Sequence, residues 1–311
     1  MTVISAESVR QLREATGAGM MDCKKALVET ANQFDDAVAW LRTKGLAAAA
    51  KKSDRTAAEG LVGLSTKGAE GALVEVNAET DFIASNDEFQ ALVADAAALA
   101  VASKADVEAI KAGKTRDGST VQERLTHLIA KIGENMQVRR AIYLSVSQGV
   151  VAGYIHNAAA PGLGRMGVLV ALESPLGSGE HAADLEALGR QVAMHVAAAN
   201  PQSLSPEDLS PEVVEREKAI FRDQAASSGK SAEVAEKMVV GRLQKFYEES
   251  VLLEQSFVMD PSLKVQDHIQ AFAAKHGASV KLVAFKRFVL GEGIEKAVSN
   301  FAEEVAAQLR A

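Results

Sequence analysis

One order of elements occurs twice in this chain, and that repetition limits the fold more than any other feature of the sequence. Gly60-Leu-Val-Gly-Leu-Ser reads as a strand, Lys67-Gly-Ala-Glu-Gly as a turn, and Ala72-Leu-Val-Glu-Val-Asn as the returning strand. Helical segments follow at about 86–103 and 120–135, then a strand from Arg139 to Val146 with Ile142, Leu144 and Val146 on one side. The order then restarts. Val150-Val-Ala-Gly-Tyr-Ile-His opens a second hairpin that returns through Val168-Leu-Val-Ala-Leu. Helical segments follow from Ala182 to Ala199 and from 211 to 254, and a last strand runs from Val280 to Leu290. Hairpin, helices, strand, taken twice, predicts two related α+β halves with antiparallel sheets backed by helices.

Three further parts flank or interrupt that core. Residues 1–50 read as three short helices. Ser5 is placed to cap the first, with Ile4 and Val9 as a hydrophobic staple, and Gly17 stands where that helix stops. Met20 to Thr30 forms the second; Phe34, Val38 and Leu41 recur at helical spacing in the third. Lys51 to Gly60 is polar and rich in small residues, which predicts a linker. Between Pro201 and Glu254 the pattern becomes two helices, the first opened by Ser210-Pro211 and both joined through Gly229-Lys-Ser. So short a turn makes them antiparallel, an arm about 30 Å long at 1.5 Å per residue. Val298, Phe301, Val305 and Leu309 mark a terminal amphipathic helix. The expected division is 1–55, 56–147, 148–200 with 256–290, an inserted hairpin at 201–255, and a C-terminal helical module at 291–311.

Composition excludes several function classes. The 311 residues carry 34 Lys and Arg against 41 Asp and Glu, a net charge of −7, which disfavours bulk nucleic-acid binding. Residues 1–55 hold nine basic and seven acidic residues, so the small excess of positive charge sits in the N-terminal part. That excess is either a solvated helix end or a surface for an acidic partner. The single cysteine, Cys23, excludes an internal disulfide framework and fits a reducing cytosol. No apolar run reaches the roughly 18 residues of a membrane span, and Met1-Thr-Val-Ile-Ser-Ala-Glu lacks the start of a secretory signal.

Apparent catalytic motifs fail on context. Gly162-Leu-Gly-Arg-Met-Gly167 matches a dinucleotide fingerprint, yet it precedes a strand instead of opening a helix, and it reads as a flexible hairpin loop. Gly229-Lys-Ser lacks the earlier glycine of a phosphate loop, since that position is Gln224. Among His127, His156, His181, His195, His268 and His276, no two have the spacing of a metal-binding pair. No catalytic residue, metal or cofactor is expected. One segment stands apart. In Asn77-Ala-Glu-Thr-Asp-Phe-Ile-Ala-Ser-Asn86, Phe82 follows the polar end of a strand. Either Asp81 or Asn86 caps the next helix and Phe82 folds into the core, or the turn presents an acid and an aromatic to a partner.

Thr16-Gly-Ala-Gly-Met-Met-Asp-Cys-Lys-Lys-Ala-Leu27, the Asn77–Ala84 segment, Lys131-Ile-Gly-Glu-Asn-Met136 and Gly291-Glu-Gly-Ile-Glu-Lys296 together resemble bacterial translation elongation factor Ts, across essentially the whole chain. The resemblance implies a cytoplasmic guanine-nucleotide exchange factor for elongation factor Tu in its GDP-bound and nucleotide-free states. It also implies a ubiquitin-associated-like N-terminal bundle. Thr80, Asp81, Phe82 and Ile83 match the family segment that pushes against the Mg²⁺ side of the GTPase, with Phe82 as a wedge and Asp81 facing polar groups around the ion. Arg13, Met20, Met21, Lys24 and Lys52 match its N-terminal contacts, and His156 a contact in the core. Adjacent methionines diverge by about 100° on a helix, so at least one of Met20 and Met21 faces outward. Ser85 stands where the family often has a basic residue. The competing expectation is a ubiquitin-associated-type binding module without exchange activity. Self-association is left open.

Overall fold

The computed structural model describes residues 4–227 and 231–295. Three helices come first: α1 (Ala6–Thr16), α2 (Met20–Glu29) and α3 (Phe34–Ala50). The Ser5 hydroxyl accepts the Ser8 amide at 3.0 Å, and Gly17 ends α1 at φ 64°, the left-handed conformation that glycine adopts without strain. Val9, Leu12, Cys23, Ala26, Leu27 and Ala37 form the bundle's small core. Burial pushes the Cys23 thiol pKa up, so this cysteine is packing material rather than a nucleophile.

Lys51 to Arg55 departs from the expected linker. It is a tight turn pinned to the body by Asn135, whose amide donates to the carbonyls of Ser53 and Arg55 at 3.2 and 2.7 Å. The bundle also rests directly on a core helix, α6 (Val121–Ile132). Gly45 of α3 faces Ala130 and Thr126 of α6, and Arg42 pairs with Glu123.

The first half follows as β1 (Glu59–Lys67), β2 (Glu70–Ala78), α4 (Asp87–Ala102), the short α5 (Val107–Ala112), α6 and β3 (Met136–Ser145). The second is β4 (Gly149–Ala160), β5 (Leu163–Glu173) and α7 (Ala182–Ala199). The arm interrupts it as α8 (Pro211–Ala226) and α9 (Ala232–Ser250), which pack on each other. It resumes with a hairpin, β6 (Ser256–Phe257) and β7 (Asp260–Lys264), then α10 (Val265–His276) and β8 (Lys281–Val289). The Gly229-Lys230 tip and the C-terminal amphipathic helix lie outside the described residues.

The pairings between the named strands are antiparallel, as β3-β2-β1 and β4-β5-β8. The two three-stranded sets are joined at a corner where Val62 and Gly63 pair with Gly164 and Leu163, giving one six-stranded sheet where the sequence suggested two. Alternation along each strand explains the layering. Ala72, Val74 and Val76 face α4 and α6, while Leu73 points the other way, toward Val151, Leu169 and Phe288 of the second set. Val168, Val170 and Leu172 face α7 and α10. The layers are therefore helices, one three-stranded half of the sheet, the other half, helices.

Gly164 and Gly167 lie inside β5, not in a loop. A Cβ at Gly167 would sit 2.6 Å from Leu73 Cδ2, and one at Gly164 2.5 Å from Ile155 Cγ2. These glycines let strands approach, which accounts for the false fingerprint.

His195 is buried on α7. Its Nδ1 accepts the Val258 amide at 3.2 Å, so Nε2 carries the proton and donates to Gln255 Oε1 at 2.9 Å. Burial holds its pKa below the ordinary value, outweighing the Gln255 hydrogen bond. The unfolded chain therefore takes up the proton first. Stability is full above the unfolded pKa of about 6.5 and is lost as pH falls toward the folded value. His195→Gln, followed by thermal melts between about pH 7 and 5, is expected to show a shallower fall in Tm than the parent. An unchanged slope would mean that His195 does not contribute.

Candidate functional site: a pinned aromatic turn and an exposed helix face

β2 ends at Ala78, and residues 81–85 form a single turn of 3₁₀ helix before α4. Asn86 caps α4, accepting the Phe89 amide at 3.0 Å, as one of the two sequence readings expected. Phe82 does not fold back. The residue is 84% exposed. Asp81 and Ser85 are exposed beside it.

Ile83 departs from its expected place at the surface. It is only 3% exposed and packs in the core beneath α4. The alternation is local geometry: in one tight turn, adjacent side chains point apart, so burying Ile83 drives Phe82 outward. Ile83 is the anchor of the turn rather than part of its face.

The base of the turn is clamped by residues that sequence reasoning left without a role. Glu134 accepts both the Thr80 amide, at 3.0 Å, and the Thr80 hydroxyl, at 2.7 Å. Glu79 accepts the Asn135 amide at 2.5 Å and faces Arg55 at 3.5 Å. Thr80 is therefore half-buried and held, not presented. The available signal was the Gly133-Glu-Asn motif: Gly133 ends α6 at φ 92° and turns Glu134 and Asn135 toward the strand end.

The N-terminal bundle supplies a second face. Met20 and Met21 are 61% and 72% exposed, and Arg13 and Lys24 are exposed as well. Val28, which spacing alone also predicts, continues the stripe seven residues after Met21 and is 58% exposed. Lys52 is half-buried in the turn that Asn135 holds, close to the base of the Phe82 turn. His156 stands elsewhere, exposed on β4 in the second half, with Tyr154 Oη 3.1 Å from its Nδ1.

An α+β scaffold that holds an aromatic outward on a clamped turn, and carries a separate helix with two exposed methionines, has the build of a docking protein. The family model described as Elongation factor TS matches residues 79–292. Elongation factor Ts of Paramagnetospirillum magneticum is 56% identical over 99% of this chain and 98% of the relative. That of Rhodospirillum rubrum is 54% identical over 100% of both chains. Gluconobacter oxydans has a relative of the same name, 55% identical over 99% of this chain and 98% of its own. The chain belongs to the elongation factor Ts family, a family of translation elongation factors.

Proposed function

We propose that this protein is a cytoplasmic guanine-nucleotide exchange factor for elongation factor Tu, acting by docking, with no catalytic group, metal or cofactor of its own taking part in the exchange. The exposure of Phe82 on a clamped turn is the observation that carries the reading. A factor speeds GDP release only by binding the distorted or nucleotide-free partner better than the closed one. Phe82 enters the partner as an apolar wedge on the Mg²⁺ side of the nucleotide site, with Asp81 engaging polar groups there. Weakened Mg²⁺ support leaves phosphate charge less compensated, and GDP departs. By reciprocity, GDP and Mg²⁺ weaken the factor's own binding.

Division of labour follows the division of the chain. Residues 1–55 grip the partner through Arg13, Met20, Met21 and Lys24, with Lys52 at their edge; residues 56–147 hold the wedge; His156 marks a contact of the second half. Replacing both Met20 and Met21 by alanine is expected to weaken the complex by about tenfold or more, as loss of an exposed anchor pair does. Tm should stay unchanged, because both side chains are exposed in the free protein. Calorimetric titration against elongation factor Tu measures the first and a thermal melt the second. Unaltered affinity would remove α2 from the interface.

Stopped-flow release of a fluorescent GDP from elongation factor Tu tests the whole reading. Catalytic amounts of the protein should accelerate release without hydrolysing GTP. Unchanged release at micromolar protein would refute the exchange reading and favour a ubiquitin-associated-type binding module.

A further inference from the structure

The six histidines show no metal-binding spacing in the sequence, yet the fold brings two of them together with an acid. His181 immediately precedes α7, Asp184 lies in the first turn of that helix, and His276 is the last residue of α10. One ligand atom from each lies within 4.8 Å of the others. His181 Nδ1 is 3.3 Å from Asp184 Oδ2, and the two imidazoles meet edge to face with centroids 4.8 Å apart. In a tetrahedral zinc site with bonds of about 2.0–2.1 Å, ligand atoms stand about 3.4 Å apart. One edge of the tetrahedron thus already has its length. The others close by rotation of side chains that are partly or fully exposed.

The surroundings fit as well. With Nδ1 of His181 turned to a metal, its Nε2–H faces Glu180 Oε1 at 3.4 Å, the outer carboxylate that orients many ligating histidines. The Phe272 ring lies against His276, with centroids 4.3 Å apart. A cation at the start of α7 meets the positive end of the helix dipole, which two carboxylates offset; at the end of α10 it meets the favourable end. A helix-start ion pair explains His181 with Asp184 but not the imidazole delivered by α10.

We propose that His181, Asp184 and His276 form a surface site for a divalent transition metal of the Zn²⁺ class, with water as the fourth ligand. Two imidazoles and one carboxylate suit Zn²⁺ and not Mg²⁺, which takes oxygen ligands in an octahedron. The site joins the start of α7 to the end of α10, and both helices cover the same face of the second sheet. Bound metal therefore stabilises that half of the core by linkage. The site is separate from the Phe82 turn and does not depend on the exchange reading.

The test uses untagged, full-length, metal-free protein titrated calorimetrically with Zn²⁺. Co²⁺ serves as a spectroscopic probe and Mg²⁺ as a control. Expected are one-to-one Zn²⁺ binding, tetrahedral Co²⁺ absorption bands, a rise in Tm with Zn²⁺, and no Mg²⁺ binding at the site. His276→Ala should keep its metal-free Tm, weaken Zn²⁺ binding by more than tenfold and lose the Zn²⁺-dependent rise; Glu180→Gln should weaken binding by about tenfold. No Zn²⁺ binding, or equal binding by the parent and by His276→Ala, would overturn the assignment.

Discussion

Phe82→Ala is expected to lose most of the acceleration of GDP release while melting within about 2 °C of the parent, the usual range for a surface substitution. The two halves of that result come from one observation. A residue that is 84% exposed contributes little to folding, so removing its ring creates no cavity. The same ring, buried only in the distorted partner, contributes to the state that releases nucleotide. Loss of a central aromatic anchor is worth about 2 kcal/mol or more, which is roughly thirtyfold or more in rate.

Affinity should fall less than rate, because the α2 face remains. Asp81→Ala should act in the same direction, with a larger effect when Mg²⁺ is present. Ile83→Ala supplies the contrast. Ile83 is a buried anchor, so its truncation costs about 2–5 kcal/mol of stability and lowers exchange through loss of the turn. Stopped-flow release with and without Mg²⁺, beside thermal melts of the three variants, separates these cases. Parental release rates in Phe82→Ala would refute the wedge.

Residues 79–86 also show where sequence reading stops. Asn86 as a cap is legible, because a side chain that accepts an amide three residues on is local chemistry. Whether Phe82 or Ile83 faces inward is not local. It depends on Glu134 and Asn135, which reach Thr80 and Glu79 from the far end of α6. The α+β core was readable for a similar reason: short apolar runs bounded by turn residues mark β2 and β5 locally, although both strands are buried on their two faces and carry no polar alternation. The corner between the two sheets was not, because it rests on only two residue pairs at Val62 and Gly63. The linker failed as a prediction because its polar composition is equally suited to a turn fixed by backbone carbonyls. α10 left a usable signal in Val265, Ile269 and Phe272, but the two-residue strand β6 before it has none.

Glu75→Ala is expected to be among the most destabilising single changes in the chain, by about 3–5 kcal/mol, the range for breaking a buried ion pair from one side. Glu75 is fully buried on β2. Its carboxylate meets Arg139 at 3.0 Å and Arg140 at 2.5 Å on β3, and accepts the Gly291 amide at 2.9 Å. Gly291 stands at φ 73°, and a Cβ there would lie 2.4 Å from the Ala58 carbonyl oxygen, so only glycine brings that amide to the acid. Three chain segments therefore meet on one carboxylate. Burial pushes its pKa up, but the Gly291 amide, Arg140 and Asn77 together outweigh burial and hold it below the ordinary value. The sign follows: the contribution is full above the unfolded pKa of about 4.3 and disappears as pH falls through the folded one. Glu75→Gln keeps an acceptor for Gly291 but loses the charge and turns the oxygen that accepts from Arg140 into an NH2 donor, so its deficit should be smaller than that of alanine and should shrink toward acid, where the parent carboxylate is protonated too. Denaturant melts of the parent and both variants at about pH 7 and about pH 4, on either side of the unfolded value, measure this. A glutamine deficit that is unchanged across that range would show that shape, not charge, is what Glu75 supplies.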